Sequence, residues 1–174
     1  MPPPLPAIKV VYMQHPLLPL FDAHSNILIL GSFPSVASRK AGFYYHHPQN
    51  RFWRVIAALT QESVTETIEA KKVLLTKYHI ALWDVIEECS IKGSSDASIQ
   101  NVKASNLAVL LEQCPIKRIF ANGQTASKLY TKHCEMLTCK PIITLPSTSP
   151  ANAAFTLEAL THAWQVIFAG ASLG

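Results

Sequence analysis

The sequence feature that most constrains the fold is a continuous apolar run, residues 27–30, which ends at Gly31. A run of this kind, without polar alternation, is typical of a strand buried on both faces of a sheet. The loop that follows is dense in aromatic rings and polar side chains and closes into a helix start at residues 52–56. Because open α/β folds bind ligands at the carboxyl ends of buried strands, this loop is predicted to carry a site.

Helices and strands alternate along the rest of the chain. Strands are predicted at about 27–31, 79–85, 118–121 and 142–145, and helices at about 51–59, 67–78, 104–113, 124–132 and 155–168. This alternation predicts a parallel sheet with helices on both faces, in a single domain of residues 1–174. The last helix is apolar nearly all round and is expected to be well buried. Residues 87–103 are polar and are expected to form a surface loop or excursion.

The first 25 residues are predicted to be an irregular, proline-rich arm. The arm is expected to pack on the domain through Leu17, Leu18, Leu20 and Phe21. The start of the chain lacks the charged and apolar regions of a signal peptide, and no apolar run reaches the roughly 18 residues that a membrane span needs. We therefore expect no contact with a membrane.

Composition limits the class of protein further. Apolar residues make up 49% of the chain and charged residues 15%, which indicates a globular rather than a disordered protein. The net charge of +4 permits a polyanionic partner without requiring one. The cysteines are too widely spaced for a metal site, so free thiols are expected at Cys89, Cys114, Cys134 and Cys139.

Polar residues gather where the four predicted strands end. They are Gly31 and Ser32, then Asp84, then Asn122, and finally Ser147, Thr148 and Ser149. Because the carboxyl ends of parallel strands share one edge of a sheet, these residues are expected to converge. Asp84 is interpreted as holding a loop rather than as acting as a base.

Three segments together resemble the uracil-DNA glycosylase superfamily, and specifically its hypoxanthine-DNA (deoxyinosine) glycosylase branch. They are GSFPS at 31–35, FYYHHPQNRFW at 43–53 and LPSTSPAN at 145–152. LWDV at 82–85, GSSD at 93–96 and FANG at 120–123 fit the branch in order and spacing. The resemblance implies a three-layer α/β/α sandwich around a four-stranded parallel sheet, with no metal and no cofactor. Such enzymes flip a deaminated base out of DNA and hydrolyse its N-glycosidic bond, leaving an abasic site.

The resemblance implies roles for individual residues. Asn50 is implied to be the catalytic amide that positions water or polarises the base, although an asparagine at this place also suits a helix cap, and the two roles can coincide. Tyr45 is implied to stack on the flipped base, with a loop-packing tyrosine as the alternative. Further base contacts are implied for Gly31, Ser32, Phe33, His47 and Asn122, and DNA contacts for Ser35, Ser38, Arg39, Ser147, Thr148 and Ser149. Asn122 is equally well explained as a helix cap, and residues 147–149 as a simple Ser/Pro loop.

This chain departs from its mismatch-specific relatives, which the segment HPQNRFW also resembles. Those relatives carry an asparagine in the first motif, where this chain has Phe33. The catalytic role is therefore assigned to Asn50. Leu145 stands near the place where some relatives have a histidine or asparagine that would stabilise the base anion, and His47 is the candidate substitute.

The function that the resemblance implies is a monofunctional DNA glycosylase acting on DNA with a deaminated base, with hypoxanthine first and uracil second. No lysine lies in the core motifs, so lyase chemistry through a Schiff base is not expected. A cytoplasmic monomer, associated with the nucleoid if the source is bacterial, is expected. The alternatives are a mismatch-specific uracil/thymine-type DNA glycosylase and a non-catalytic damaged-DNA-binding module. A small-molecule hydrolase using Ser32 or Ser35 is disfavoured because no GxSxG elbow is present.

Overall fold

The computed structural model describes residues 1–4, 9–92 and 96–170. Its strands are β1 (Val10–Gln14), β2 (Ile27–Gly31), β3 (Ile80–Asp84), β4 (Ile86–Lys92), β5 (Gln100–Ala104), β6 (Arg118–Asn122) and β7 (Ile142–Leu145). Its α-helices are α1 (Val36–Ala41), α2 (Phe52–Thr60), α3 (Ile68–Lys77), α4 (Leu107–Gln113), α5 (Gln124–His133), α6 (Glu135–Thr138) and α7 (Leu157–Trp164). Two short 3₁₀ helices occupy Asp96–Ser98 and Gln165–Phe168.

The centre of the fold is a parallel sheet of four strands in the order β3-β2-β6-β7. All five residues of β2 are buried, as the continuous apolar run predicted. Its side chains alternate between two cores, with Ile27 and Ile29 on one face and Leu28 and Leu30 on the other. Helices α2, α3 and α7 cover the first face, and α4 and α5 cover the second. The predicted three-layer α/β/α sandwich around a four-stranded parallel sheet is confirmed.

A second, antiparallel sheet in the order β1-β4-β5 was not predicted. The expectation of an irregular arm over residues 1–25 is wrong for β1, and the expectation of a loop over 87–103 is wrong for β4 and β5. The reason is that β1 is largely exposed, and β4 and β5 bury only part of their side chains, so their sequences resemble solvated loops. The GSSD segment at 93–96 lies largely outside the described residues.

The N-terminal arm reaches the main sheet by a single antiparallel bridge between Leu20 and Leu82. Backbone bonds of 2.9 Å run in both directions between these two residues. Leu17 is buried and Leu20 and Phe21 pack partly against the cores, as expected. Leu18 is 83% exposed, so its predicted packing is wrong. The bridge holds the preceding residues of the arm beside the end of β3.

The last helix is shorter and less buried than the sequence predicted. Helix α7 ends at Trp164 and continues as a 3₁₀ turn. Its buried side chains are Leu160, Trp164 and Ile167, which lie on one face, whereas Glu158 points outward. Trp164 donates from Nε1 to the carbonyl of Pro146 at 2.9 Å and thereby anchors the loop that follows β7. Helix α4 also begins later than predicted, because residue 104 completes β5.

Cys114 and Cys134 carry buried free thiols and Cys139 an exposed one. Within residues 1–4, 9–92 and 96–170, no group of three or more His, Cys, Asp or Glu side chains is arranged to hold a metal ion. None of the helices in these ranges is both long and apolar enough to cross a membrane.

Candidate active site

A cavity of about 480 Å³ opens at the carboxyl edge of the parallel sheet, where the four strands end. This volume lies in the range of about 300–1,000 Å³ that is usual for small-ligand pockets. The predicted site residues that line it are Gly31, Ser32, Phe33, Ser35, Ser38, Arg39, Tyr45, Asn50, Asn122, Ser147, Thr148 and Ser149. The convergence that the strand ends predicted is therefore present in the structure.

The Asn50 side chain is held by its oxygen. Oδ1 accepts the backbone N–H of Phe52 at 2.9 Å and the hydroxyl of Thr148 at 2.9 Å. The backbone N–H can only donate, so the oxygen must face Phe52 and the amide orientation is determined. Within the described residues no group accepts a hydrogen bond from Nδ2, and Asn50 lines the cavity. Asn50 thus presents N–H donors to a bound molecule and, at the same time, supports the start of α2.

Thr148 links the two asparagines of the site. Its hydroxyl accepts from Nδ2 of Asn122 at 3.0 Å and donates to Asn50, while its backbone N–H donates to Oδ1 of Asn122 at 3.0 Å. Its carbonyl accepts from the backbone N–H of Arg51 at 3.0 Å. Thr148 is fully buried, with a relative exposure of 0%. The sequence had suggested that Thr148 contacts DNA. In the free protein its side chain instead positions Asn50 and Asn122.

The Tyr45 ring is built into the wall of the cavity. It stacks on Phe52 with ring centroids 4.1 Å apart and an interplanar angle of 20°. Its hydroxyl is enclosed and has no hydrogen-bond partner among the described residues. Burial first, and then the nearby Asp84 carboxylate, raise the pKa of this hydroxyl well above its usual range, and the neighbouring Asn122 side chain lowers it by a smaller amount. The hydroxyl is therefore protonated at neutral pH and is not available as a base.

Tyr45→Phe is expected to leave stability unchanged or to raise it by up to about 1 kcal/mol. The substitution removes an enclosed, unpaired polar group and keeps the stacking on Phe52. Urea unfolding of both proteins measures the change, with Tyr45→Leu as the control that loses the stacked ring. A loss of more than about 1 kcal/mol in Tyr45→Phe would show that the hydroxyl is hydrogen-bonded after all.

Phe33 forms part of the opposite wall. It is 9% exposed and packs with Ile86 and Cys89 beneath the second sheet. Its ring meets His15 edge-on with centroids 5.7 Å apart. The guanidinium carbon of Arg39 lies 5.7 Å from the centroid of the Phe33 ring. Phe33 is therefore an apolar wall residue, as the sequence had allowed.

The serines of the site are divided between the rim and the interior. Ser35 is exposed and caps α1, and Ser38 is buried, with its hydroxyl accepting the backbone N–H of His46 at 3.1 Å. Ser147 and Ser149 each accept a local backbone N–H, at 3.1 and 3.2 Å. Ser38 is thus a structural residue here, whereas the other serines lie at the rim of the cavity.

Two basic residues of the segment 43–53 bond within the protein and do not line the cavity. Arg51 turns inward and donates to the carbonyls of Ser149, Asn152 and Phe155, so it fixes the loop after β7. His47 does not line the cavity, and its Nδ1 accepts the backbone N–H of Gln49 at 3.1 Å. His47 therefore belongs to the turn before Asn50, and the structure does not bring it to the predicted base contacts.

A buried, hydrogen-bonded pair of His15 and Asp84 beside the cavity was not predicted as part of the site. His15 Nε2 lies 2.7 Å from Asp84 Oδ2, and the exposed fractions of the two side chains are 3% and 4%. Asp84 lines the cavity next to Gly31 and Tyr45. The signal for Asp84 was present in the sequence, because it ends a predicted strand. No sequence signal marks His15, which lies 69 positions away in the N-terminal arm.

Three comparisons with known proteins agree on a family. Residues 18–168 match the model of the uracil DNA glycosylase superfamily. A "Hypoxanthine DNA glycosylase" from Methanosarcina acetivorans is 32% identical over 151 residues, which are 86% of this chain and 94% of that protein. A protein of the same name from Methanosarcina barkeri is 30% identical over 112 residues, which are 63% of this chain and 71% of that protein.

A solved structure resembles the whole architecture. It is the solution NMR structure of a Methanosarcina acetivorans protein described as a candidate uracil DNA glycosylase. The TM-score is 0.75 at 28% sequence identity, and the match covers 90% of this chain and 99% of the other. The shared fold therefore extends over nearly all of both chains.

Proposed function

Since the chain belongs to the uracil DNA glycosylase superfamily, we propose that this monofunctional DNA glycosylase releases hypoxanthine first, and uracil second, from DNA. The product in either case is an abasic site. Three observations support the proposal: the family, the names of the two Methanosarcina relatives, and a cavity lined by the motifs on which the resemblance depends.

The observation that carries the proposal is the orientation of Asn50. Its oxygen is already bonded to Phe52 and Thr148, so only N–H donors face the cavity. When an N-glycosidic bond breaks, negative charge develops on the departing base and spreads to its ring nitrogens and carbonyl oxygens. A preorganised donor aimed at that charge contributes about 10²–10³ in rate. Hypoxanthine and uracil both offer such acceptors.

The shape of the site suits a base that has left the helical stack. Extrusion of a nucleotide costs a few kcal/mol, which contacts in the pocket repay. The Tyr45 and Phe33 rings supply apolar walls, and a base can stack on such rings for about 1–3 kcal/mol. Ser35 and Arg39 line the cavity and are proposed to contact the DNA backbone, whereas Ser32, which also lines it, is proposed to contact the base.

We also propose that the protein acts as a monomer, with one molecule at each damaged site.

Single-turnover excision tests the proposed function. End-labelled duplexes carrying one hypoxanthine, one uracil or one xanthine are incubated with excess enzyme, and abasic sites are cut with alkali. Hypoxanthine is expected to be released fastest and uracil more slowly, with no strand cleavage before alkali. Strand cleavage without alkali would contradict a monofunctional enzyme.

Two other outcomes would replace the proposal. Release of uracil from mismatches without release of hypoxanthine would indicate the mismatch-specific type. Binding of the damaged duplexes without release of any base would indicate a binding module.

A further inference from the structure

The buried pair of Asp84 and His15 is the feature of the site for which the proposed function has not yet given a role. Asp84 closes β3, and His15 follows β1 in the N-terminal arm. The backbone N–H of His15 donates to the carbonyl of Glu87 at 2.7 Å, and the bridge from Leu20 to β3 follows a few residues later. The two side chains are therefore held together by two separate attachments of the arm.

The hydrogen bonds around His15 make Nε2 the nitrogen that donates to Asp84. The backbone N–H of Leu17 points at Nδ1 at 3.1 Å, and the carbonyl of Leu17 is 2.9 Å from the same nitrogen. If Nδ1 accepts the N–H of Leu17, the ring proton is on Nε2. If Nδ1 instead donates to the carbonyl of Leu17, both ring nitrogens carry a proton. Either way, Nε2–H donates to Asp84 Oδ2, because an ionised carboxylate can only accept.

The second oxygen of Asp84 faces the cavity side. Oδ1 lies over Gly31, whose missing side chain makes room for it, and the Tyr45 hydroxyl approaches the same point. No group of the described residues donates a hydrogen bond to Oδ1. Asp84 is also the sole carboxylate among the described residues that line the cavity. Oδ1 of Asp84 is therefore available to accept a hydrogen bond from a molecule that enters the cavity, such as water.

The other polar groups of the cavity are unsuited to accept a proton from water. The Asn50 oxygen is bonded to Phe52 and Thr148. Asn122 offers its oxygen to the backbone of Thr148. The Tyr45 hydroxyl keeps its own proton because burial raises its pKa. Serine hydroxyls without a neighbouring base are too weakly basic for this task.

We propose that Asp84 is the catalytic group that orients the attacking water and accepts its proton, and that His15 is the positioning residue that fixes Asp84. The inference rests on the proposed glycosylase function. Water held by Oδ1 forms a bond from its oxygen to C1′ of the flipped nucleotide. The C1′–N bond breaks, and its electron pair leaves with the base. The water proton passes to Oδ1, and the departing base anion takes a proton from solvent.

The carboxylate also favours the transition state electrostatically. The sugar becomes positively charged as the bond to the base lengthens, and a nearby negative charge stabilises that state. Asn50 donates to the base while Asp84 faces the cavity from the end of β3, so the two residues act on opposite charges. This division of labour explains how the site can function with Phe33 in place of a first-motif asparagine.

Asp84→Asn tests the inference directly. The variant keeps the size of the side chain and a partner for His15 but cannot take up the proton. Single-turnover release of hypoxanthine is expected to fall about 10²–10⁴-fold. Binding is expected to be unchanged, measured by fluorescence anisotropy with a duplex carrying 2′-fluoro-deoxyinosine, whose glycosidic bond resists cleavage. Release at the wild-type rate would overturn the inference.

Chemical rescue separates catalysis from structure. Asp84→Ala opens space beside the cavity, and added formate is expected to restore a substantial part of the lost rate. Asn50→Ala, which lacks a different group, should gain nothing from formate. All rates are taken per bound enzyme, so loss of folded protein does not enter. Failure of formate to restore any activity in Asp84→Ala, or loss of binding by Asp84→Asn, would assign Asp84 a structural role instead.

The role of His15 is tested by its conservative variant. His15→Gln retains an N–H donor that can reach Asp84, whereas His15→Leu does not. His15→Leu is expected to lower the release rate without weakening binding, and His15→Gln to recover part of it. Equal rates in the two variants would overturn the positioning role. If the wild-type protein released no base at all, the proposed function would fail before Asp84 or His15 was tested.

Discussion

Substituting Asn50 by aspartate is expected to slow base release strongly while the fold remains as stable as the wild type. Aspartate keeps the oxygen that accepts from Phe52 and Thr148, and a negative charge near the start of α2 is favourable by about 0.3–1 kcal/mol. It removes the N–H donors that face the cavity. We expect the single-turnover rate for hypoxanthine to fall about 10²–10³-fold.

Asn50→Ala supplies the comparison for this prediction. Alanine removes both the donor and the acceptor, so it should lose the same activity and, in addition, about 1 kcal/mol of unfolding free energy. Excision assays and urea unfolding of the two variants separate the roles of the oxygen and the nitrogen. Activity retained in Asn50→Asp but lost in Asn50→Ala would show that the oxygen, and not the N–H donor, performs the chemistry.

Gly31→Ala is expected to lower base release about 10²-fold, because even a small displacement of a reacting group is costly. A Cβ on Gly31 would lie far inside van der Waals distance of Asp84 Oδ1 and 3.2 Å from the Tyr45 hydroxyl. Asp84 cannot move aside freely, since His15 holds its other oxygen at 2.7 Å. We expect a stability loss of about 1–3 kcal/mol, as is usual for overpacking.

Gly170→Ala is the matched control for this change. Gly170 has a φ of +77°, and no atom of the described residues lies within 4 Å of an added Cβ, so its substitution strains the backbone without displacing any of them. It follows the 3₁₀ turn whose carbonyls bind Arg118 at the amino end of β6, opposite the cavity. This variant should lose about 1 kcal/mol of stability and keep its activity. Wild-type release rates in Gly31→Ala would show that the position of Asp84 does not limit the reaction.

Most of the parallel sheet was predictable because β2 is buried along its whole length and β3 and β6 along most of theirs, whereas β7 buries only Leu145. The bounds of β2 and β7 agree with the prediction, and those of β3 and β6 differ by one residue at their ends. A segment that must be covered on both faces shows this in its own residues, whatever surrounds it. The location of the cavity followed from the same pattern, because strands that run in the same direction bring their carboxyl ends to one edge of the sheet.

The second sheet was hidden because its strands are stabilised mainly by pairing. Val10 pairs with Lys92, and Gln14 pairs with Glu88, positions that are far apart in the sequence. The side chains of β1 and β5 are largely exposed, and such strands show no continuous apolar run. Their backbone hydrogen bonds depend on a partner strand that no local pattern reveals.

The sequence by itself determined which segments are buried and which residue types reach the cavity. Only the tertiary structure decided what each polar side chain does there. The Thr148 hydroxyl hydrogen-bonds two asparagines, and the Arg51 guanidinium donates to backbone carbonyls. His15, in the N-terminal arm, hydrogen-bonds Asp84. The physical reason is that burial of an apolar segment is a local property, whereas a hydrogen bond needs a partner at a defined distance and angle. In this site those partners come from positions 26 to 104 residues away.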